Sequence, residues 1–493
     1  MKIPSPKLET SHLTPSEEIQ VRCQTALQLK DRGDLEGAKE AMRPLWKRIG
    51  ERPDIKGLYP SVAAEVLLCA GMLTCWIGSK SQIKEAQESA RNLITESITF
   101  YESEGDVFRV AAVCVELAYC YWCEGSLDEA RVMFRESLQK LSVEGNTRAR
   151  AVLGLAVVEW SAARFSTALQ LLTENNGLFT KITNQATKGT YYNQVAIVLR
   201  QLAKTEKREN KEEYFQKAIS QFELADSCFK QVRNNAFRAD VKNNVGMILL
   251  DLRRFKEAHK YLSESRRLSV LVRDRVQTAQ IDESRAQVFL AENKLKEAES
   301  TAGGAVTVLE RTGQQCLLAD ALTTHGIALA RLKKRDRAQF TFQRAIEVAH
   351  QVGALNKAGL AALTMIEELD ELSPDILRSA YDRASEWLAK SQSQDISQRL
   401  NAVSRKVLLS VGGEVKPAEA TETLLNKPCD LQKEVLKFEG TLIKHALSKV
   451  NGSVTRAAEL LSLSYQGLAY IIGTRHKDLL KERSPIRRRS RRD

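Results

Sequence analysis

Proline is scarce in this chain, 10 of 493 residues, and most prolines lie outside the stretches of regular apolar spacing. Proline breaks helix interiors, so its scarcity there leaves room for an almost wholly helical protein. Long apolar runs are missing too. No stretch of about 20 apolar residues is read, so no membrane span is expected. The opening residues, "MKIPSPKLETSHLTPSEE", have no apolar core and do not read as a secretory signal. Histidine is sparse, with six scattered residues and no HxxxH pair. The nine cysteines include one C-x-x-C, "CYWC" at 120–123, with no second pair or nearby histidine. A zinc site needs four ligands, so these cysteines, like Cys69 and Cys75, read as core residues. With no secretory signal, an odd cysteine count fits free thiols in a reducing cytosol, and a cytoplasmic location is expected. The "GG" pairs at 303–304 and 412–413 lack the lysine and Ser/Thr of a phosphate loop. No nucleophile–base constellation is evident. No catalytic residues, cofactor or metal are expected, and the chain does not read as an enzyme.

What is present is length, apolar periodicity and an uneven charge. A chain of 493 residues exceeds one compact core, so several domains or one extended repeat array are the options. The net charge is +12. Residues 430–493 hold 14 Lys/Arg against 7 Asp/Glu, a net of +7, which leaves only +5 for the rest. A basic end on a nearly balanced body points to a polyanionic partner for that end.

The body repeats itself. "FKEA", "LKEA" and "RDRA" end at Ala258, Ala298 and Ala338, 40 residues apart each time. Looser copies end at Ala38, Ala86, Ala130, Ala168 and Ala218, giving eight units spaced 38 to 50 residues apart. Each unit reads as a helix of apolar period 3.6, a short polar turn such as "RRF", and a second helix opening at the alanine. Small residues stand 12 positions before six of these alanines: Ala26, Ala118, Ala156, Gly246, Ala286 and Gly326. Two antiparallel helices pack tightly only where one offers the other a small residue. The start at Thr14-Pro15-Ser16-Glu17 has the form of a capping box. The tryptophans, Trp46, Trp76, Trp122, Trp160 and Trp387, lie in helical contexts and read as core.

These units resemble tetratricopeptide repeats. "ELAYCYWCEGSLDEARVMFRESL" (116–138) supplies Leu117, Ala118, Tyr121, Ala130 and Phe134 at the pattern positions. "THGIALARLKKRDRAQFTFQRAI" (324–346) supplies Gly326, Ala338, Phe342 and Ala345. The usual repeat is about 34 residues. These units are longer, which requires longer helices or longer loops. The unit ending at Ala218 also carries an inserted polar run, "KTEKRENKEE". The resemblance implies a superhelix over residues 18–410, with a concave groove for a protein or peptide. A rigid spacer or dimer scaffold is the alternative. Residues 354–390 fit a ninth unit turning at Ser373-Pro374, and 395–410 a capping helix. Residues 1–17 form a lead-in. The glycine- and proline-containing segment 411–430 reads as a linker.

Past the linker, residues 431–450 are amphipathic, with Val435, Phe438, Leu442, Ile443, Ala446, Leu447 and Val450 on the apolar face. Asn451-Gly452 stops this helix. Ser453 and Ser464 are placed to cap two short helices. Their spacing is that of a helix-turn-helix. Ala458 stands at the crossing and Ser462 at the turn position usually held by glycine. Leu468 plugs the core, and Ala457, Leu461, Leu463 and Ile471 fill the other buried positions. The segment 431–480 resembles the Fis-type DNA-binding domain. That resemblance implies a homodimer through the long helix 431–450 and a final helix in the DNA groove. The residues it implies at DNA are Ser453, Thr455, Ser464, Tyr465, Gln466, Gly467, Ala469, Tyr470, Arg475, His476 and Lys477. Family members often have arginine or lysine where Tyr465, Tyr470 and Ile471 stand, and threonine where Gly467 stands. Arginine to guanine is the commonest direct contact. The tail 481–493, with five arginines in its last seven residues, reads as disordered and suited to phosphates. The expectation is an all-α bacterial transcriptional regulator that binds double-stranded DNA. The alternative is an interaction scaffold whose terminal helices only oligomerise and whose arginine tail binds RNA or acidic partners.

Overall fold

The computed structural model describes residues 13–83, 85–205, 208–389, 394–411 and 431–482. The expected linker past Val411 and the basic tail from 483 onward lie outside the described residues, as does most of the lead-in. All regular structure among the described residues is helical. The chain divides into two compact units between Val407 and Leu408.

The larger unit is a tetratricopeptide-like solenoid of nine helical hairpins among the described residues. These are α1 (Pro15–Asp31) with α2 (Leu35–Met42), α3 (Pro60–Lys80) with α4 (Ala86–Ser103), and α5 (Val107–Glu124) with α6 (Leu127–Lys140). Next come α7 (Asn146–Ser161) with α8 (Phe165–Glu174), the short α9 (Asn176–Lys181), and α10 (Gln185–Thr205) with α11 (Arg208–Gln231). Then follow α12 (Asn235–Asp251) with α13 (Phe255–Leu271), α14 (Arg275–Ala291) with α15 (Leu295–Leu309), and α16 (Gln315–Arg331) with α17 (Arg335–Gln351). The ninth pair is α18 (Leu355–Glu368) with α19 (Pro374–Leu388), and α20 (Gln394–Val411) caps the stack. The Thr14/Glu17 capping box forms at the start of α1, with Thr14 N–H donating to Glu17 Oε2 at 2.8 Å.

The long repeat comes from long helices. Residues 233, 253, 273, 293, 313, 333 and 353 all have φ between 57° and 72°, every twentieth residue. Each is the left-handed residue that ends one helix and turns the chain into the next. At each of them except Gly313 the following N–H closes the motif by donating to a carbonyl five residues back. Arg254 donates to Leu249 (2.8 Å), Lys294 to Phe289 (2.8 Å) and Lys334 to Leu329 (2.9 Å). The turn is so short that 17-residue helices such as α12, α13, α14, α16 and α17 fill almost all of each step. The second helices start slightly earlier than the sequence pattern implied. Ala258, Ala298 and Ala338 are the fourth residues of α13, α15 and α17. The inserted polar run lengthens α10 and α11 to 21 and 24 residues, and Ala218 stays fully buried within α11.

The small residues lie where the helices touch. Ala26, Ala118, Ala156 and Ala286 are fully buried. A Cβ on Gly246 would sit 2.7 Å from Leu262, and one on Gly326 would sit 2.9 Å from Phe342. By length and composition alone α3 is apolar enough to cross a bilayer. Its apolar residues are instead mostly buried in the solenoid core, where it packs on α1, α4 and α5. "CYWC" is likewise core, with Cys120 buried and Cys123 Sγ 3.7 Å from Cys75 Sγ. A neighbouring thiol, Cys120 beside Cys75 and Cys75 beside Cys123, together with burial pushes both far above the ordinary thiol range.

First helices pack on the next first helix along most of the stack: α1 on α3, α3 on α5, α5 on α7, α7 on α10, α12 on α14, α14 on α16 and α16 on α18. The second helices pack chiefly on their neighbours in sequence. The first helices therefore form the inner layer of a curved stack. The curvature is strong enough for distant turns to meet. Asn234 Nδ2 donates to the Asp31 carbonyl (2.8 Å), Lys80 pairs with Asp274 (2.7 Å), and Gln314 donates to the Lys80 carbonyl (2.9 Å).

Two glycines separate the packing argument from helix propensity. At Gly154 an added Cβ would lie 2.2 Å from the Phe134 ring, whereas at Gly304 nothing lies within 4 Å. Gly154→Ala is expected to destabilise the solenoid by about 1–3 kcal/mol through overpacking. Gly304→Ala should stabilise it by about 1 kcal/mol through helix propensity. Urea unfolding of the two variants checks both signs.

Candidate nucleic-acid interface

The smaller unit comprises α21 (Leu431–Lys449), α22 (Val454–Leu460), α23 (Tyr465–Thr474) and a 3-10 turn, Lys477–Glu482. Its core is Ile443, Ala446 and Leu447 from α21, Val454, Ala457 and Ala458 from α22, Leu468 and Ile472 from α23, and Leu479. Leu468 and Ile472 are fully buried one helical turn apart. They fix which side of α23 faces outward.

Two turns set the angles. Asn451 and Gly452 both have positive φ, and the Gly452 N–H donates to the Leu447 carbonyl (2.8 Å), ending α21 as the sequence implies. Ser462 stands where glycine is usual and takes φ 55°, with the Leu463 N–H donating to the Ala458 carbonyl (2.9 Å). Ser464 Oγ accepts from the Gly467 N–H (3.0 Å) and caps α23. Ser453 occupies the cap position of α22, but its hydroxyl makes no capping bond, which corrects the role given to its side chain.

The candidate DNA residues do not all share one face. Tyr465, Gln466 and Tyr470 point away from the core, Tyr465 48% and Tyr470 68% exposed. Thr455, Ser464, Arg475 and Lys477 are also exposed, while Ser453, Gly467 and Ala469 are half-buried. His476 is a correction. It is 7% exposed, its Nε2 lies 2.9 Å from Glu439 Oε2, and it packs against Gly440, where a Cβ would come within 2.9 Å of Nδ1. Arg475 donates to the other Glu439 oxygen at 3.2 Å. The histidine therefore ties the end of α23 to α21 instead of reaching outward. Leu463 is a second correction, exposed where burial was expected, because the turn at Ser462 swings it off the core.

Two features were missed in the sequence. Gly440 lies within a well-formed helix, and an isolated helical glycine signals close packing. Arg456 is exposed beside Thr455 on α22. With Lys444, Lys449 and Lys477, it is a surface cation without an ion pair among the described residues. On α21, Val435, Phe438 and Leu442 are exposed, so only the C-terminal half of the expected apolar face is used within this unit.

This is the architecture of a helix-turn-helix domain. Residues 435–470 match the family described as "Bacterial regulatory protein, Fis family", so the C-terminal unit is a Fis-family helix-turn-helix domain. No curated protein matches the chain. Among solved structures, the chain is similar to a signal transduction ATPase with numerous domains and a tetratricopeptide repeat sensor from Pyrococcus horikoshii. That match has 14% identity and a TM-score of 0.49, over 78% of this chain and 65% of that one. A Rap protein complexed with competence and sporulation factor gives 12% identity and a TM-score of 0.46, over 70% of this chain and 99% of that one. A thermophilic TPR protein of Thermus thermophilus gives 17% identity and a TM-score of 0.34, over 43% of this chain and 96% of that one. The solenoid geometry stands on its own hairpins.

The left-handed serine gives a direct test of the turn. An L-residue at positive φ costs about 1–2 kcal/mol, part of which glycine recovers. Ser462→Gly should stabilise the C-terminal unit by about 1 kcal/mol. Amide hydrogen exchange across 465–474 in the intact chain should then slow about fivefold.

Proposed function

We propose that this chain is a cytoplasmic bacterial transcriptional regulator and not an enzyme. Its Fis-family domain binds double-stranded DNA as a homodimer, and its solenoid takes a protein or peptide partner. The observation that carries the reading is the outward display of Tyr465, Gln466 and Tyr470 on a helix anchored by buried Leu468 and Ile472. A helix so held, following a tight turn, is the element that enters a major groove. Glutamine is suited to adenine, and the tyrosine rings offer apolar contact to thymine methyls and hydroxyls to phosphates. The unpaired surface cations supply the sequence-independent part of the affinity. The exposed stripe of Val435, Phe438 and Leu442 supports pairing of two α21 helices, since these side chains find no cover within their own unit. For the solenoid, the support is the layer of first helices packed one on the next along a curved stack.

The absence of arginine from the outward face of α23 favours a second reading. In that reading the terminal helices only oligomerise and the basic tail holds RNA or acidic partners non-specifically. Binding of duplexes selected from a random pool, followed by fluorescence anisotropy over a salt series, separates the two. Replacing Tyr465, Gln466 and Tyr470 by alanine should abolish the preference for selected over random duplex, a change of about 1–3 kcal/mol per lost base contact, and leave the salt slope intact. No selected duplex would establish the scaffold reading, and an unchanged preference in the triple variant would remove Tyr465, Gln466 and Tyr470 from the readout. Phe438→Glu should lower the dimer fraction in sedimentation equilibrium and weaken binding to selected duplex together.

A further inference from the structure

The seam between the long helix α21 and the reading helix α23 is apolar for two steps and polar at the third. On α23, Leu468 and Ile472 are buried four residues apart, and His476, 7% exposed, follows at the next four-residue step. The chain stays close to helical there, since Arg475 keeps helical dihedrals and its N–H donates to the Ile471 carbonyl (2.9 Å). On α21 the same step runs through Leu447, Ile443 and Glu439. The four apolar residues share one core. The two polar ends meet. His476 Nε2 lies 2.9 Å from Glu439 Oε2, and Arg475 Nη1 donates to Glu439 Oε1 at 3.2 Å. Gly440 supplies the room, because a Cβ there would lie 2.9 Å from Nδ1 and 3.1 Å from Cε1 of the imidazole.

Stability alone does not call for a polar third step. Replacing a buried polar or ionic pair by apolar groups of similar size is often neutral or stabilising. What the pair adds is direction. Apolar contact is non-directional, and two buried residues one turn apart give a lever of only about 6 Å. The bonds to Glu439 pin α23 one turn further out and engage both carboxylate oxygens, so they admit one arrangement of the two helices. Register is the best-attested use of a polar group in an otherwise apolar seam. Glu439 also adjoins the exposed stripe. Phe438, its neighbour in sequence, is 67% exposed and lies with Val435 and Leu442 on the uncovered face of α21. Glu439 therefore links the helix that carries the pairing face to the helix that carries the reading face.

We propose that Glu439, held by His476 and Arg475, is a positioning residue that sets the angle between reading helix and pairing helix, and thereby the half-site separation that the dimer accepts. The proposal rests on the reading of this unit as a DNA-binding homodimer. Tyr465, Gln466 and Tyr470 choose the sequence of each half-site, and Glu439 chooses the distance between them. Each extra base pair turns one half-site about 35° around the duplex and carries it about 3.4 Å further along. A fixed frame meets both half-sites at one separation only, whereas a hinged frame also follows the neighbouring ones.

The test uses the full chain as wild type, as Glu439→Leu/His476→Leu and as Glu439→Gln. The probes are duplexes with two copies of a half-site selected from a random pool, their spacer lengthened or shortened one base pair at a time, read by fluorescence anisotropy at fixed salt. The wild type should prefer one spacing over its neighbours by about tenfold or more. The leucine pair should bind the same half-site sequence but hold neighbouring spacings within about threefold, with a melting temperature equal to or above that of the wild type. Glu439→Gln, which keeps the shape and part of the hydrogen bonding, should fall between the two. An unchanged spacing preference in either variant would overturn the proposal. So would a lower melting temperature in the leucine pair with equal weakening at every spacing, which would make the contact structural only. A wild type that selects a half-site but is indifferent to spacing would overturn the proposal and the homodimer with it, leaving DNA reading by one copy. If no duplex is selected at all, the DNA reading itself falls and takes the proposal with it.

Discussion

Gly326 and Phe342 meet across the α16–α17 hairpin at a distance that admits no Cβ, and Gly246 and Leu262 repeat the contact in α12–α13. The solenoid depends on this approach. Where the helices touch through a small residue, the bulky residue of the partner fills the space above it, and dispersion contacts replace water on both sides. The approach is useful only if the next helix arrives in the same phase, and the left-handed residue at every twentieth position secures that. Arginine, asparagine and lysine occupy that conformation at 253, 293 and 333 as glycine does at 313 and 353. The intrinsic cost at those turns is therefore met by the packing of the helices on either side. The less regular hairpins from α1 to α11 curve as well, enough to bring Asp31 to Asn234 although 203 residues separate them in the chain.

The solenoid was legible because its signals are local. A buried alanine 12 residues after a small residue is a statement about one hairpin, and hydrophobic period is a statement about one helix. The helix-turn-helix was legible for the same reason, since Ala458 and Leu468 are core residues whose spacing follows from the crossing of two short helices. What stayed hidden depends on contacts between distant segments. His476 looked like one more basic residue after a recognition helix. Its burial depends on Glu439 and Gly440, 37 and 36 positions earlier, which only the folded domain brings beside it. Leu463 read as core by pattern and is displaced by the turn at Ser462. The packing of α3 on four neighbouring helices, which gives its apolar residues a protein environment, is likewise a property of the folded stack.

The two units treat charge in opposite ways. Inside the solenoid, buried cations are matched with carboxylates within one or two hairpins, and Glu283 is satisfied by Thr324 (2.6 Å) and Gln287 (2.6 Å) although burial raises its pKa. Such matching limits the desolvation penalty and makes a rigid, specific surface. In the helix-turn-helix domain, Lys444, Lys449, Arg456 and Lys477 stand in water without carboxylates. Exposed, unmatched cations contribute little to stability. They remain free to replace the counterions of a phosphate backbone.

That division shapes what the recognition helix does. Affinity from phosphates is indifferent to sequence, so selectivity must come from Tyr465, Gln466 and Tyr470, and none of these makes the bidentate guanine contact that gives arginine its discrimination. A single helix with this surface separates sites weakly. In the homodimer we propose, two copies joined through the exposed stripe of α21 read two half-sites at once, and the second contact becomes intramolecular. Weak selectivity at each half-site then multiplies across the pair. Under that proposal the apolar residues Val435, Phe438 and Leu442, which are exposed outside the core of one domain, are the condition on which a tyrosine-bearing recognition helix can be selective.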